Sequence, residues 1–185
     1  TGVTIYSNIV FVSCRQYGVE VIDISLPQKP LHKGIIRAGE VQSTCVYNDV
    51  LYCGLWGNMK VIAFDIKDIN EPKKVLDINL HGRGDGVVVR DNLLYAVSGQ
   101  HGRNIKNFND PLDSEYGNRN GISIFDISKN CEEIFFDNFG KGYSVSHDTW
   151  KPLLCGNVLV CCDSILGIHL YDAKTFEKLD VINFS

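Results

Sequence analysis

Four segments of this chain end in an apolar run that closes on an aspartate: GVEVIDIS (18–25), MKVIAFDIK (59–67), NGISIFDIS (120–128) and LGIHLYDAK (166–174). Asp23, Asp65, Asp126 and Asp172 hold the same place in each. A fixed period constrains the fold more than any bulk property, because each copy must be one supersecondary unit that buries its apolar surface against the next. Ahead of each segment lies another apolar run opened by a turn residue: Asn8, Asp49, Asn92 and Asn157. From Asn8 to Asp23, Asn157 to Asp172 and Asp49 to Asp65 the spacing is nearly constant, whereas Asn92 to Asp126 is long. The third copy therefore carries an insertion of roughly 18 residues within 99–120, a polar stretch too irregular for a strand.

Each copy has two further runs. VTIYS (3–7), STCVY (43–47), GVVVR (86–90) and KPLLC (151–155) precede the turns, and PLHKGIIR (30–37), KKVLDINL (73–80), EEIFFDNF (132–139) and FEKLDVINF (176–184) follow the aspartates. These runs are rich in Val, Ile, Phe and Tyr and bounded by Asn, Asp, Gly and Pro, as strands between tight turns are. No segment sustains a helical period. Four short antiparallel strands repeated every 40 to 45 residues or so predict an all-β chain made of β-propeller blades. The repeats fall at about 1–39, 40–81, 82–146 and 147–185 of a single domain, either a four-bladed propeller or a segment of a larger one. A two-layer sandwich is the competing arrangement.

The strands GVEVIDIS followed by LPQKP, and MKVIAFDIK followed by DINEPKK, resemble the LVIVD-repeat propellers of bacterial and archaeal proteins. The resemblance runs along nearly the whole chain and implies a propeller, often within a longer chain. The fourth copy departs from the pattern, with Ala173 and Thr175 where the family would have Ile and a Pro-containing turn.

With 44% hydrophobic and 22% charged residues, the 185-residue chain has material for a core without staples. Its formal net charge of -4 supplies no field that would draw the whole molecule onto nucleic acid. Apolar runs such as 157–162 end far short of the roughly 20 residues of a transmembrane helix. The chain opens on Thr1-Gly2-Val3 with no initiator Met and no signal-peptide pattern, which suggests an excised piece and leaves its compartment unknown. Seven cysteines lack Cys-x-x-Cys spacing, which excludes zinc ribbons and reads as small buried hydrophobes.

In a blade the innermost strand comes first, so loops between the second and third strands share a rim with the links between blades. That rim collects Glu40 and Gln42, then His81, Arg83 and Asp85, then His147, Asp148 and Trp150 from the links. The loops add Arg15, Gln16 and Tyr17, then Trp56 and Asn58, then Gln100, His101 and Arg103, and finally Asp163. HGRGDG (81–86) alternates glycine with His81, Arg83 and Asp85, which would point the three side chains alike if the segment is extended.

Three chemistries fit these residues. His81, His101 and His147, with Asp85 and Asp148, would suit a divalent metal, as in a metal-dependent hydrolase. A histidine and Tyr116 as base and acid, with Arg83 or Arg103 on a carboxylate, would suit a polysaccharide lyase. Trp56, Tyr17, Trp150 and the arginines would make a passive rim for a carbohydrate, another polar or anionic small molecule, or a protein partner. The expectation is a ligand-binding rim centred on His81, Arg83, Asp85 and His101, with the insertion's Tyr116 and Arg119 in reach. Each residue also has a plain structural reading, as a hydrogen bonder between blades. The four recurring aspartates belong to architecture, as turn caps, because they recur. Gly82, Gly84 and Gly86 lack the Lys-Ser/Thr and helix of a phosphate loop. Arg83-Gly84-Asp85 opens a strand rather than capping an exposed loop. Further blades, from a longer chain or a second copy, would complete a ring.

Overall fold

The computed structural model describes residues 2–99, 120–139 and 148–184. Among the described residues sixteen strands form four separate four-stranded antiparallel sheets, each in simple sequential order, a four-bladed propeller-like arrangement rather than a two-layer sandwich. Blade 1 comprises β1 (Val3–Tyr6), β2 (Ile9–Ser13), β3 (Val19–Asp23) and β4 (Leu31–Ile36). Blade 2 comprises β5 (Val41–Tyr47), β6 (Val50–Leu55), β7 (Lys60–Asp65) and β8 (Lys73–Asn79). Blade 3 comprises β9 (Arg83–Arg90), β10 (Leu93–Gly99), β11 (Gly121–Asp126) and β12 (Glu132–Asn138). Blade 4 comprises β13 (Leu153–Cys155), β14 (Val158–Asp163), β15 (Gly167–Asp172) and β16 (Lys178–Ile182). Among the described residues no helix is long and apolar enough to cross a membrane.

The recurring aspartates cap one turn four times. Asp23, Asp65, Asp126 and Asp172 each accept a hydrogen bond at Oδ1 from the backbone N–H two residues on, at 2.8, 2.9, 2.9 and 2.8 Å. The next residue closes the loop across the blade: Ile24, Ile66, Ile127 and Ala173 donate to the carbonyls of Asn8, Asp49, Asn92 and Asn157. Directly before each aspartate the pairing of the third and fourth strands slips, at Val21/Ile22, Ala63/Phe64, Ile124/Phe125 and Leu170/Tyr171. A bulge at one fixed place in every copy twists the outer strand in the same sense each time.

Blades stack face to face through apolar side chains. One core joins Phe11, Val19 and Val21 of blade 1 to Leu51, Cys53 and Ile62 of blade 2. A second joins Val61 and Ala63 to Leu94 and Phe125, and a third joins Tyr95, Ile122 and Ile124 to Leu159 and Tyr171. Polar links run beside them: Tyr6 Oη donates to Asp49, Tyr47 Oη to Asn92, and Tyr95 Oη to the carbonyl of Ala173. Cys161 is buried in the third core and its neighbour Cys162 is half-buried on the opposite face, as adjacent strand residues must be. All seven cysteines are free thiols, and burial pushes those of Cys45 and Cys131 up to about 12 and about 11.

Leu94 is fully buried between blades 2 and 3, so Leu94→Ala should destabilise the protein by about 2–5 kcal/mol. Leu26→Ala, at an exposed position of the turn between β3 and β4, should cost less than about 1 kcal/mol. Urea unfolding followed by circular dichroism measures both, and equal losses would contradict this packing.

Candidate functional site

The first strands of the blades converge, and their beginnings enclose an open cavity of about 250 Å³ lined by Gly2, Gln42, Ser43, Asp85, Gly86, Trp150 and Lys151. Every blade contributes. Two bulges shape this cavity, and neither belongs to the repeat. In blade 2, Val41 and Ser43 pair with the consecutive residues Leu55 and Gly54, which leaves Gln42 as the extra residue. In blade 3, Gly84 pairs with Ser98 and Val87 with Ala96, so Asp85 and Gly86 together face Val97. Bulges of this kind re-aim side chains beside sites. Ser43 ties the two blades together, donating from Oγ to the Asp85 carbonyl at 2.7 Å and accepting from Val87 N–H at 3.1 Å.

The link into blade 4 is clipped to the β14–β15 turn. Asp148 N–H donates to Ser164 Oγ at 2.9 Å, Ser164 N–H donates back to the Asp148 carbonyl at 2.8 Å, and Trp150 N–H reaches the Cys162 carbonyl at 3.0 Å. Asn120 braces the blades from beneath. Its Nδ2 donates to Asp163 Oδ2 at 2.5 Å while its Oδ1 accepts from Thr149 Oγ1 at 2.6 Å. Asp163 Oδ1 takes the N–H groups of Ile165 and Leu166, at 2.8 and 2.7 Å.

This scaffold brings Asp85 and Asp148 together, 7% and 2% exposed. Two buried acids in contact cannot both ionise cheaply. Burial first, and then the charge of Asp85, its hydrogen bond and the charge of Asp163, push Asp148 up to about 8. Burial also pushes Asp85 up, to about 7, against the hydrogen bond from Asp148 and the nearby charge of Arg15. Burial is the largest cause at both acids, so the pair stays protonated well above the usual carboxylate range. Gly99 makes the pair sterically feasible, because a Cβ there would collide with Asp148 Oδ1.

Two further pairs of side chains lie on the rim. Arg15 Nη2 meets Glu40 Oε1 at 3.1 Å, and Arg83 lies over the ring of buried Trp56, its Cζ 5.6 Å from the centroid. Of the residues expected on the rim, Arg83 thus lies by Trp56 and Asp85 by Asp148. His81 stands apart from them. Its ring stacks on Phe136 at 3.8 Å and its Nε2 lies 3.1 Å from both carboxylate oxygens of Glu133, on the outer strand of blade 3. The alternation expected of HGRGDG starts only at Arg83, where β9 begins, and His81 lies at the outer end of a link that still has to travel inward.

The glycines of that segment serve backbone packing between blades. A Cβ on Gly84 would lie 2.9 Å from the Leu55 carbonyl, and one on Gly86 would collide with Lys151. With Gly84 and Asp85 buried, the Arg-Gly-Asp triplet is no exposed loop tip. His101, Arg103, Tyr116, Arg119 and His147 lie outside the described residues. Among the described residues no group of three His, Cys, Asp or Glu is arranged to hold a metal ion. Asn120, Thr149 and Gly99 were not foreseen as site residues, because nothing local marks an Asn before a strand or a Gly at its end as the brace of an acid pair.

The crystal structure of the computationally designed Ika8 protein is similar, with a TM-score of 0.64 at 14% identity over 98% of this chain and 48% of that one. At that identity the likeness concerns the fold, and this chain spans about half the length of the designed one. No family model matches the chain, and no curated protein does.

The raised acid pair sets a sign for pH dependence. Unfolded carboxyls titrate near pH 4. The folded pair holds its protons up to about 7 and about 8, so its contribution is full below about pH 4 and is lost as the pH rises through the folded values. Asp23, Asp77, Asp126 and Asp172 are shifted downward by hydrogen bonds and act oppositely, losing their contribution in acid. The melting temperature should therefore peak in mild acid and fall toward pH 9. Asp148→Asn should flatten the alkaline fall. Calorimetric scans across pH would contradict the pairing if the variant kept the wild-type slope.

Proposed function

We propose that this chain is a propeller-type binding module that takes a small polyhydroxylated molecule, a carbohydrate by class, in the cavity at the start of its inner strands. The LVIVD-repeat likeness belongs to the same reading, as a scaffold whose rim carries the ligand. The observation that carries it is the composition of that cavity. Trp150 is 52% exposed at its edge, the amide of Gln42 arrives on a bulge, and Lys151 and the Asp85 wall supply further polar groups. An exposed indole beside amide and carboxyl groups suits the apolar face and hydroxyl rim of a sugar ring. At about 250 Å³ the cavity is below the roughly 300–1,000 Å³ of sites for drug-sized molecules, which favours one or two sugar rings.

Binding is favoured over hydrolysis by the acids themselves. Glycosidases hold their two carboxyl groups about 5–9.5 Å apart to admit a sugar carbon or a water. Asp85 and Asp148 instead lie against one another, and both are buried. Burial pushes both carboxyls up and so keeps charge off the pair, which suits a neutral hydroxyl partner better than a cation.

Titration with neutral and uronic mono- and disaccharides, read by tryptophan fluorescence and calorimetry, should give saturable binding. Trp150→Ala should weaken it about tenfold or more, roughly 1.4 kcal/mol. Absence of binding across the panel, or binding untouched by Trp150→Ala, would remove this reading. Release of an unsaturated product from the uronic sugars would replace it with lyase activity.

A further inference from the structure

The four blades are not buried alike. In blades 2 and 3 the central strands are buried on both faces: Leu51 to Leu55 of β6 and Leu94 to Gly99 of β10 are buried without a break. The central strands of blades 1 and 4 alternate instead. Phe11, Ser13, Val19 and Val21 are buried in blade 1, as are Leu159, Cys161, His169 and Tyr171 in blade 4, while their neighbours are half-exposed.

The pairing register defines the two open faces. In blade 1, Val3 lies opposite Val12, Ile5 opposite Val10, and Val10 opposite Ile22, so these residues share the side turned away from blade 2. Val3 and Ile5 are 62% and 66% exposed. In blade 4, Leu153 lies opposite Val160, Val160 opposite Leu170, and Ile168 opposite Ile182, on the side turned away from blade 3. Leu153 is 62% exposed and Ile182 is 50% exposed. Among the described residues the buried apolar cores join blades 1 and 2, 2 and 3, and 3 and 4, and none joins 4 and 1.

A surface of Val, Ile and Leu on both ends of a stack is a pair of unfilled interfaces. We infer that these faces dock on a second copy of this chain, blade 4 of each copy against blade 1 of the other, so that two chains close one ring of eight blades. Three observations select this occupant. Each internal interface sets the trailing face of one blade on the leading face of the next, and the two open faces are one leading and one trailing, so a 4-to-1 contact continues the established interface. A single chain leaves both faces open, whereas two copies related by a two-fold axis satisfy all four at once with no end remaining. The four-blade body also superposes over 98% of its length on about half of a longer chain of the same fold, so the arrangement tolerates continuation into a body of twice the size. This inference does not depend on the sugar-binding proposal.

Light scattering coupled to size exclusion should give twice the mass of the 20.7 kDa chain. Ile5→Lys and Val160→Lys each place a charge on one open face, at positions that leave the internal cores untouched, and each variant alone should run as a folded monomer by circular dichroism and mass. Mixing the two should recover association. The intact blade 4 of the Ile5→Lys chain then meets the intact blade 1 of the Val160→Lys chain, although the opposite contact carries both lysines. A monomeric wild type at high concentration, including one whose open faces are protected from hydrogen exchange by closing on themselves, would overturn the inference. So would open-ended polymers, a dimer indifferent to both substitutions, or a mixture that stays monomeric.

Discussion

The structure depends on one constraint: a β-sheet whose two faces are both apolar must be covered on both. Blades 2 and 3 meet it with their neighbours, as the unbroken burial of β6 and β10 records. Stacking sheets face to face brings their first strands side by side, so residues that begin those strands are collected from the whole chain into one place. The cavity of Gln42, Asp85 and Trp150 is a by-product of how the apolar faces are satisfied.

Two classes of irregularity divide the labour. The bulge before each capping aspartate occurs four times in the same register and shapes the outer strands uniformly. The bulges at Gln42 and at Asp85–Gly86 open the inner strands of blades 2 and 3 and turn a repeated framework into an unequal rim. Polar chemistry gathers where the copies stop resembling one another, because a residue required by the repeat is already committed to a turn.

The acid pair shows what that rim demands. Burying two carboxyl groups is costly unless they share a proton and their surroundings are held rigid. Asn120, Thr149 and Ser164 fix the link carrying Asp148, Gly99 makes room for it, and Ser43 fixes the strand carrying Asp85. His81, expected beside these acids, braces the outer strand of blade 3 through Phe136 and Glu133. The link between blades spans the width of a sheet, so residues four apart in sequence end on opposite sides of it.

The sequence by itself determined the repeat, its four strands and the task of its aspartates. Each rests on local physics: alternating apolar residues, turn-forming Asn and Asp, and a side chain bonding to the backbone two residues on. From strand order, which decides which loops share a side, it also led to the expectation of a rim centred on His81, Arg83, Asp85 and His101, and His81 lies instead against the outer strand of blade 3. The tertiary structure decided which of those residues touch. Asp85 and Asp148 are separated by a whole blade, and their meeting depends on two local bulges and on a glycine at the end of β10, none of which leaves a periodic mark. The inequality of the blades was equally invisible in the chain, since Val10 and Leu94 belong to the same kind of apolar run, and only the stacking order determines whether a face is covered.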